Sequence, residues 1–501
     1  MVMSVRDFSS ASAMRSETCF EQAERKWLRA ACIAGIAAWL TACNLGSALG
    51  GDDDDDTFHI RSLNLIGDSA AIKVLIDTTT IATLEYSNGT AFSAAHPGMH
   101  DISLQAVLPT TFDDEDDDDD PIQIGATLTR SFIKNVPYTL VAYGSEADPQ
   151  MFFIEGQEQR SDVADDRLVL QFVDAAPAAS QVEVYVTLPQ AGVAAPQLVT
   201  TLSLAEASGP QEFALVRNAD DLDDDSTLTG KLTIELRTVG SAEVLYKSAE
   251  ITVTEQSRIL FAIAGSRAPG PASVRLVSLA GSSAAEFLER NDGAELRFVH
   301  ASVDTPALDV AVGPNYNVPA FAGLAFRGAS GYIDVKRDDV DILASQSGTN
   351  SGILFLESFS ALPGQAYSAY AIGTLADVDA VVVGADSRSV PTQNKFRFLL
   401  AAASLYETEP LDIYLRLPGD IVDFDDDDTT PTFSSVAYQN STSYLTYKEG
   451  SYDVYFAYAG TSTIALGPAS FTTHNGDIDT LVLIDNESGG LELMTVGDRR
   501  D

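Results

Sequence analysis

Five histidines, at 59, 96, 100, 300 and 474, are the side chains of this 501-residue chain best suited to move a proton or hold a transition metal. His300 invites attention because Asp304 and Asp309 follow it closely. His96 and His100 have the i,i+4 spacing of a helical zinc pair, but Pro97 and Gly98 between them mark a hairpin turn, so helical ligand geometry is not expected. Carboxylates are far more abundant. They form runs at 52–56, 113–120, 220–225 and 423–428, hard oxygen donors of the kind that suit Ca²⁺. EF-hand spacing fails in the runs that could carry it. From Asp221 the sixth and twelfth positions are Ser226 and Leu232; from Asp423 they are Asp428 and Ser434. The runs therefore read as solvated, self-repelling loops, with weak and unselective Ca²⁺ binding as the alternative. No G-x-S-x-G, H-E-x-x-H or G-x-x-x-x-G-K-[ST] pattern occurs. The expected catalytic, metal and cofactor sets are empty.

The cysteines suggest a different chemistry. All three, Cys19, Cys32 and Cys43, precede residue 58, so no disulfide can staple the rest of the chain. Arg25, Lys26 and Arg29 form a basic flank, and the uncharged stretch 30–42 follows. Its 13 residues are too short to span about 30 Å of hydrocarbon but suit the apolar region of a secretory signal. The stretch ends in Leu40-Thr41-Ala42-Cys43, which resembles a bacterial lipobox. That resemblance implies cleavage before Cys43, a thiol carrying diacylglycerol and an acylated amine; several acyl chains anchor stably where one is marginal. Asn44 lacks the Asp that favours inner-membrane retention in enterobacterial-type sorting, so the outer membrane is the expected site. Residues 43–57, with five consecutive aspartates, read as an extended tether.

The elements behind these residues repeat. The run Arg297-Phe-Val-His-Ala-Ser-Val-Asp304-Thr-Pro306-Ala-Leu-Asp309-Val310 has gapless relatives from Arg61 and Gln171, and a looser one from Arg397. The starts are 171−61 = 110, 297−171 = 126 and 397−297 = 100 residues apart, so each unit is domain-sized. In the third unit, apolar runs of four to eight residues fall at 295–301, 307–312, 323–326, 331–335, 340–344, 353–359, 367–372 and 380–383, punctuated by Gly, Pro, Asn, Asp and Ser. That is strand language. Seven or eight short strands in about 100 residues predict an antiparallel β-sandwich of immunoglobulin-like architecture at most. The expected fold is all-β, four tandem sandwiches at 58–160, 161–282, 294–392 and 393–501, behind a signal helix at 1–42. The stretch Ala284–Arg290 has helical periodicity and reads as a linker within 283–293.

The order of elements resembles a bacterial cell-surface family, domain of unknown function 4397. Unit three carries its opening run (Arg297, His300, Asp304, Pro306, Asp309), its turn from Gly328 through Gly331 to Tyr332, and its closing strand with Gly364, Tyr367 and Gly373. The other units are degenerate copies. The resemblance implies a β-sandwich on secreted or lipidated proteins and no catalytic residues. The position of His300 holds Asp174 and Asn64 in units two and one. A catalytic base would not interchange with these, whereas a polar strand-end residue bonding a turn backbone would.

A net charge of −43 disfavours nucleic acid and anionic lipid headgroups as partners. In unit four, strand alternation places Tyr452, Val454, Phe456 and Tyr458 in the core; Tyr447 and Tyr455 read as core or ordinary surface, with an exposed stacking patch for sugars or a partner as the alternative. The expectation is a non-enzymatic, lipid-anchored envelope protein with a structural, adhesive or binding role, its partners being the membrane and a glycan or protein ligand. An accessory carbohydrate-active enzyme or hydrolase, and a calcium-stiffened spacer, are the alternatives.

Overall fold

A run such as Ala294–His300, buried at every position, cannot be a strand with one face in water. It needs cover on both faces, and a computed structural model shows how each such run obtains it. The structure describes residues 57–108, 122–156, 163–179, 181–216, 227–266, 273–314, 316–349, 352–386, 388–406, 408–426 and 429–498. The signal segment with the lipobox, the first three acidic runs and part of the fourth lie outside these residues.

The first unit comprises β1 (Phe58–Ile66), β2 (Ile72–Ile76), β3 (Thr79–Leu84), β4 (Ser93–Ala95), β5 (Gly98–Ala106), β6 (Ile122–Phe132), β7 (Pro137–Ser145) and β8 (Asp148–Glu155). Its sheets run β4-β1-β7-β8 and β3-β2-β5-β6. The second has β9 (Arg167–Ala175), β10 (Gln181–Leu188), β11 (Val193–Ser203), β12 (Gln211–Ala214), β13 (Thr229–Thr238), β14 (Val244–Lys247), β15 (Ile251–Thr254), β16 (Ser257–Gly265), β17 (Val274–Ala280) and β18 (Ser283–Phe287). They form β12-β9-β16-β17-β18 and β11-β10-β13-β14, with β15 also on β13. The third has β19 (Ala294–His300), β20 (Leu308–Val312), β21 (Phe321–Leu324), β22 (Ile333–Val335), β23 (Asp338–Gln346), β24 (Ile353–Ala361), β25 (Ala366–Thr374) and β26 (Asp377–Ala385), in orders β22-β19-β25-β26 and β21-β20-β23-β24. The fourth has β27 (Lys395–Leu400), β28 (Leu411–Arg416), β29 (Phe433–Val436), β30 (Gly450–Tyr458), β31 (Ile464–Thr473), β32 (Ile478–Asp485) and β33 (Leu491–Gly497), in orders β27-β32-β33 and β29-β28-β30-β31.

The fold is all-β, built of tandem two-sheet sandwiches, and no α-helix occurs among the described residues. None of the described residues forms a helix long and apolar enough to cross a membrane. Each of the eight runs read from the third unit's sequence overlaps a strand. Two expectations need correction. The sheets are not purely antiparallel: β1 lies parallel to β7, β9 to β16, β19 to β25 and β27 to β32. In each unit the chain leaves the first strand, traverses the opposite sheet, and returns in the same direction beside its starting point. The supposed helical linker at 284–290 is mostly β18, turned back on β17 through Gly281 in the left-handed region at φ +61°. The Tyr246 hydroxyl fixes its end by donating to the Phe287 carbonyl at 2.9 Å.

Each sandwich keeps its own core. Phe58, Phe132 and Tyr138 meet in the first, with ring centroids 4.5–5.7 Å apart. Phe172 and Phe261 stack in the second, Phe298 and Phe355 in the third, and Phe396, Phe398 and Phe471 cluster in the fourth. The outward faces of the parallel pairs are buried too, against the neighbouring unit. Leu63, Leu65, Val141 and Tyr143 of unit one join Val173, Leu260, Val277 and Leu279 of unit two in one apolar cluster. Val299, Tyr370 and Ile372 of unit three join Leu399, Val482, Ile484 and Val496 of unit four in another. The sandwiches are thus joined in pairs, one with two and three with four, through their mixed sheets. At the first joint Gly89 admits Leu279, whose Cδ1 lies 2.6 Å from where a Cβ would stand.

Candidate functional site

The residues singled out by the repeat converge on these joints. Arg61, Arg297 and Arg397 occupy the same place on β1, β19 and β27, each opposite a hydroxyl residue on the parallel neighbour. Their Nε groups donate to Thr139 Oγ1 at 2.9 Å, Ser368 Oγ at 2.8 Å and Thr480 Oγ1 at 2.9 Å. An aromatic ring covers each guanidinium: Phe92 at 4.8 Å, Tyr332 at 5.0 Å and Tyr444 at 4.6 Å. Two residues before each ring, a hydroxyl accepts the amide that follows the arginine. These bonds run from Ser62, Phe298 and Phe398 to Thr90, Ser330 and Thr442, at 2.9–3.0 Å. Unit two keeps the last bond, Phe172 to Ser208 at 3.0 Å. It has lost arginine and ring together, with Gln171 and Pro210 in their places. That joint loss argues that the two act as one device.

His300 is fully buried at the end of β19. Its Nε2 is 3.2 Å from the Pro306 carbonyl and its Nδ1 is 3.4 Å from the Ser302 amide. Burial holds its pKa below the ordinary value, so the ring is neutral at pH 7. The same bond to the amide two residues on is made by Asn64 to Ile66 and by Asp174 to Ala176, each at 3.0 Å. Beside all four strand ends a non-glycine residue takes the left-handed conformation: Ser87, Ala205, Arg327 and Gln439, with φ from 60° to 69°. Asp304 accepts the Leu375 amide at 2.9 Å. Asp309 accepts the amides of Gly323 and Gly348 at 2.7 and 2.9 Å, which holds its carboxyl below the usual range. Tyr367 accepts the Leu362 amide through its hydroxyl at 3.1 Å, as Tyr138 does for Ile133 at 3.0 Å. Gly364 and Gly373 stand at φ +72° and +89°, and a Cβ on Gly373 would fall 2.3 Å from the Asp377 carbonyl. Gly331 stands in open space.

The candidate binding groups fare differently. Tyr455 is not exposed. It packs with Tyr414, Val422 and Ala457, and its hydroxyl donates to the Asp420 carbonyl at 2.9 Å. Tyr447 is half-buried and stacks on Phe396. No stacking patch forms from this pair, because the loop 417–426 lays Val422 and Phe424 over the outer sheet. His100 binds Asp77 Oδ2 and the His96 carbonyl, each at 2.8 Å, so neither ring nitrogen is left for a shared metal with His96. Among the described residues no group of three or more His, Cys, Asp or Glu could hold a metal ion. An open depression of about 380 Å³ lies on the outer sheet of unit two, bordered by Thr187, Thr233, Lys247, Glu250 and Arg290. Lys247 there is paired with Glu235 at 3.0 Å.

One residue had no signal in the sequence. Asp498, fully buried just beyond β33, lies 201 residues from Arg297, whose guanidinium grips its carboxylate. Tyr444 donates to the other oxygen at 2.7 Å, as does Thr480, and Arg397 stands 3.7 Å from it.

Two stretches of the chain, 58–185 and 294–414, match the family model of a domain of unknown function, DUF4397. The chain carries two DUF4397 domains. Each match takes in one whole sandwich and the first two strands of its partner, ending at Tyr185 on β10 and at Tyr414 on β28. The rest of units two and four lies beyond the DUF4397 match, although their strand order repeats that of one and three. No curated protein matches the chain. Among solved structures it is similar to the Bacillus anthracis TIE protein, at 9% identity over 86% of this chain and 75% of that one, with a TM-score of 0.15.

Proposed function

We propose that this DUF4397 protein is a non-enzymatic lipoprotein of the bacterial cell envelope, anchored in the outer membrane through Cys43, whose acidic sandwiches display a binding or adhesive surface to a glycan or protein ligand. The observation that carries this reading is where the recurrent polar residues go. Arg297, His300, Asp304 and Asp309, the candidates for chemistry, bond to turn amides, carbonyls and the partner sandwich, which suits a scaffold that holds its shape. The lipobox and the aspartate-rich tether support the anchor, since like charges extend a chain away from the surface that holds it.

The test is metabolic labelling of the full chain with a palmitate analogue in a Gram-negative host, read by gel fluorescence, membrane flotation and the mass of the mature N-terminal peptide. Wild-type protein should carry label, float with outer membrane and begin at acylated Cys43. The Cys43→Ser chain should lose all three properties. Unlabelled wild-type protein, or a mature chain retaining residues before Cys43, overturns the proposal.

A further inference from the structure

We propose that Gly497–Asp498 is a strap that holds the third and fourth sandwiches in one fixed orientation, so that the joint between them opens when this short segment is lost while each sandwich stays folded. The inference concerns the joint alone and stands whether or not the chain is anchored. Every polar group of Asp498 is engaged. Its amide donates to the Ile478 carbonyl, its carbonyl accepts the Tyr332 hydroxyl at 3.1 Å, and its carboxylate takes Arg297 on one oxygen and Tyr444 and Thr480 on the other. Arg297 also donates to the Gly497 carbonyl. Arg297 and Tyr332 belong to unit three; the rest belong to unit four. One residue past the last strand therefore ties the two sandwiches together through charge-assisted bonds out of water.

The apolar parts of the two joints are similar in extent. Among the described residues nine buried side chains, Ala401 among them, form this one, with Phe326, Val381, Val383, Tyr438 and Met494 packed against them, and twelve form the joint of units one and two, with Phe152, Ala207 and Ala284 packed against them. At that first joint the equivalent arginine, Arg61, reaches across to the Gly281 carbonyl at 3.4 Å. A joint with two guanidiniums near one buried carboxylate depends heavily on that carboxylate. Removing one member of a buried pair leaves the other charges uncompensated.

The experiment uses the full chain with single reporter thiols read by alkylation rate and peptide mass spectrometry. Ala401→Cys reports the strapped joint, Ala262→Cys the first joint, and Ala344→Cys the third sandwich's own core; all three alanines are buried. Combined with Asp498→Asn, alkylation at 401 should rise roughly a hundredfold while 262 and 344 keep their wild-type rates. A chain ending at Gly497 should behave the same way. An unchanged rate at 401 in both variants overturns the strap. So does a rise at 344 that matches the rise at 401, since the residue would then support the sandwich rather than the joint.

Discussion

Asp174 is predicted to be a stability defect at neutral pH that the chain has already corrected elsewhere. Its side chain is fully buried. Oδ1 accepts the Ala176 amide at 3.0 Å, and Oδ2 has no hydrogen-bond partner among the described residues. Burial raises its pKa from 3.8 to about 6, partly offset by the Ala176 bond. A raised folded-state pKa means that the neutral form is favoured on folding. The contribution is fully present below the unfolded value and is lost as pH rises through about 6. At pH 8 the folded chain must hold a carboxylate in an apolar site, at a cost of about 3 kcal/mol for a shift of roughly two units. At pH 5 the same relation gives about half of that. Unit one shows the remedy. Asn64 makes the equivalent bond, and its amide also donates to the Leu84 carbonyl at 3.2 Å. Leu84 lies three residues before the left-handed Ser87, as Leu202 does before Ala205. Asp174→Asn therefore keeps the turn bond, gains Leu202 as an acceptor and removes the charge. Differential scanning calorimetry of the full chain should show the transition of units one and two raised by about 6–10 °C at pH 8 and by about half as much at pH 5. An unchanged or lower Tm at pH 8, or a gain that is larger at pH 5, refutes the reasoning.

Arg397→Gln removes the donor to Thr480 and to the Gly384 carbonyl and the cation beside Asp498, and should cost about 2–4 kcal/mol in denaturant unfolding of units three and four, with units one and two unaffected. Ala205→Gly relieves an exposed left-handed alanine at φ 60° and should raise the Tm of units one and two, for a gain of up to about 1 kcal/mol. Gly89→Val drives a side chain into Leu279 and should destabilise by about 2–3 kcal/mol or separate the first pair, read by calorimetry. Gly331→Ala, with open space around its Cβ, is the matched control and should stay within about 0.5 kcal/mol of wild type.

The fold class was legible because Gly, Pro and Asp punctuate the apolar runs at strand length. Strand direction was not. Period-2 alternation reads the same in both senses, so the parallel pairing of β19 with β25 leaves no local mark. The joints were half visible. β1, β9, β19 and β27 each carry apolar residues at adjacent positions, as in Leu65-Ile66, Leu168-Val169-Leu170, Phe298-Val299 and Phe398-Leu399-Leu400, which is how strands covered on both faces depart from strict alternation. The alternation that placed Tyr452, Val454 and Phe456 in the core was sound, and Tyr455 does point to the other face. It is buried there by a loop that follows β28, something strand period alone cannot report. Ala284–Arg290 looked helical because alanine and glutamate favour helices, and the β17 hairpin overrode that propensity. Asp498 was out of reach, since nothing near Arg297 in sequence points to a partner at the far end of the chain.

The joints also explain where a chain of net charge −43 spends its scarce bases. Arg61, Arg275, Arg297 and Arg397 are each at most 5% exposed, and each takes part in a contact between mixed sheets or beside one. Carboxylates are buried as well, Glu146, Asp174, Glu235, Asp292, Glu295, Asp412, Asp453 and Asp498 among them, yet most of the chain's acids remain to give the solvent-facing surface its negative charge. Mutual repulsion between such surfaces pushes sandwiches apart. Separate sandwiches on flexible linkers would yield to it. Pairing them through a second apolar face opposes it, and placing guanidiniums at the seam puts attraction where screening by salt is weakest. An acidic exterior and joined pairs are in this sense two sides of one arrangement: the charge that keeps the surface hydrated calls for joints stronger than a linker, and the arginine, hydroxyl and aromatic ring that recur in three of the four units supply them.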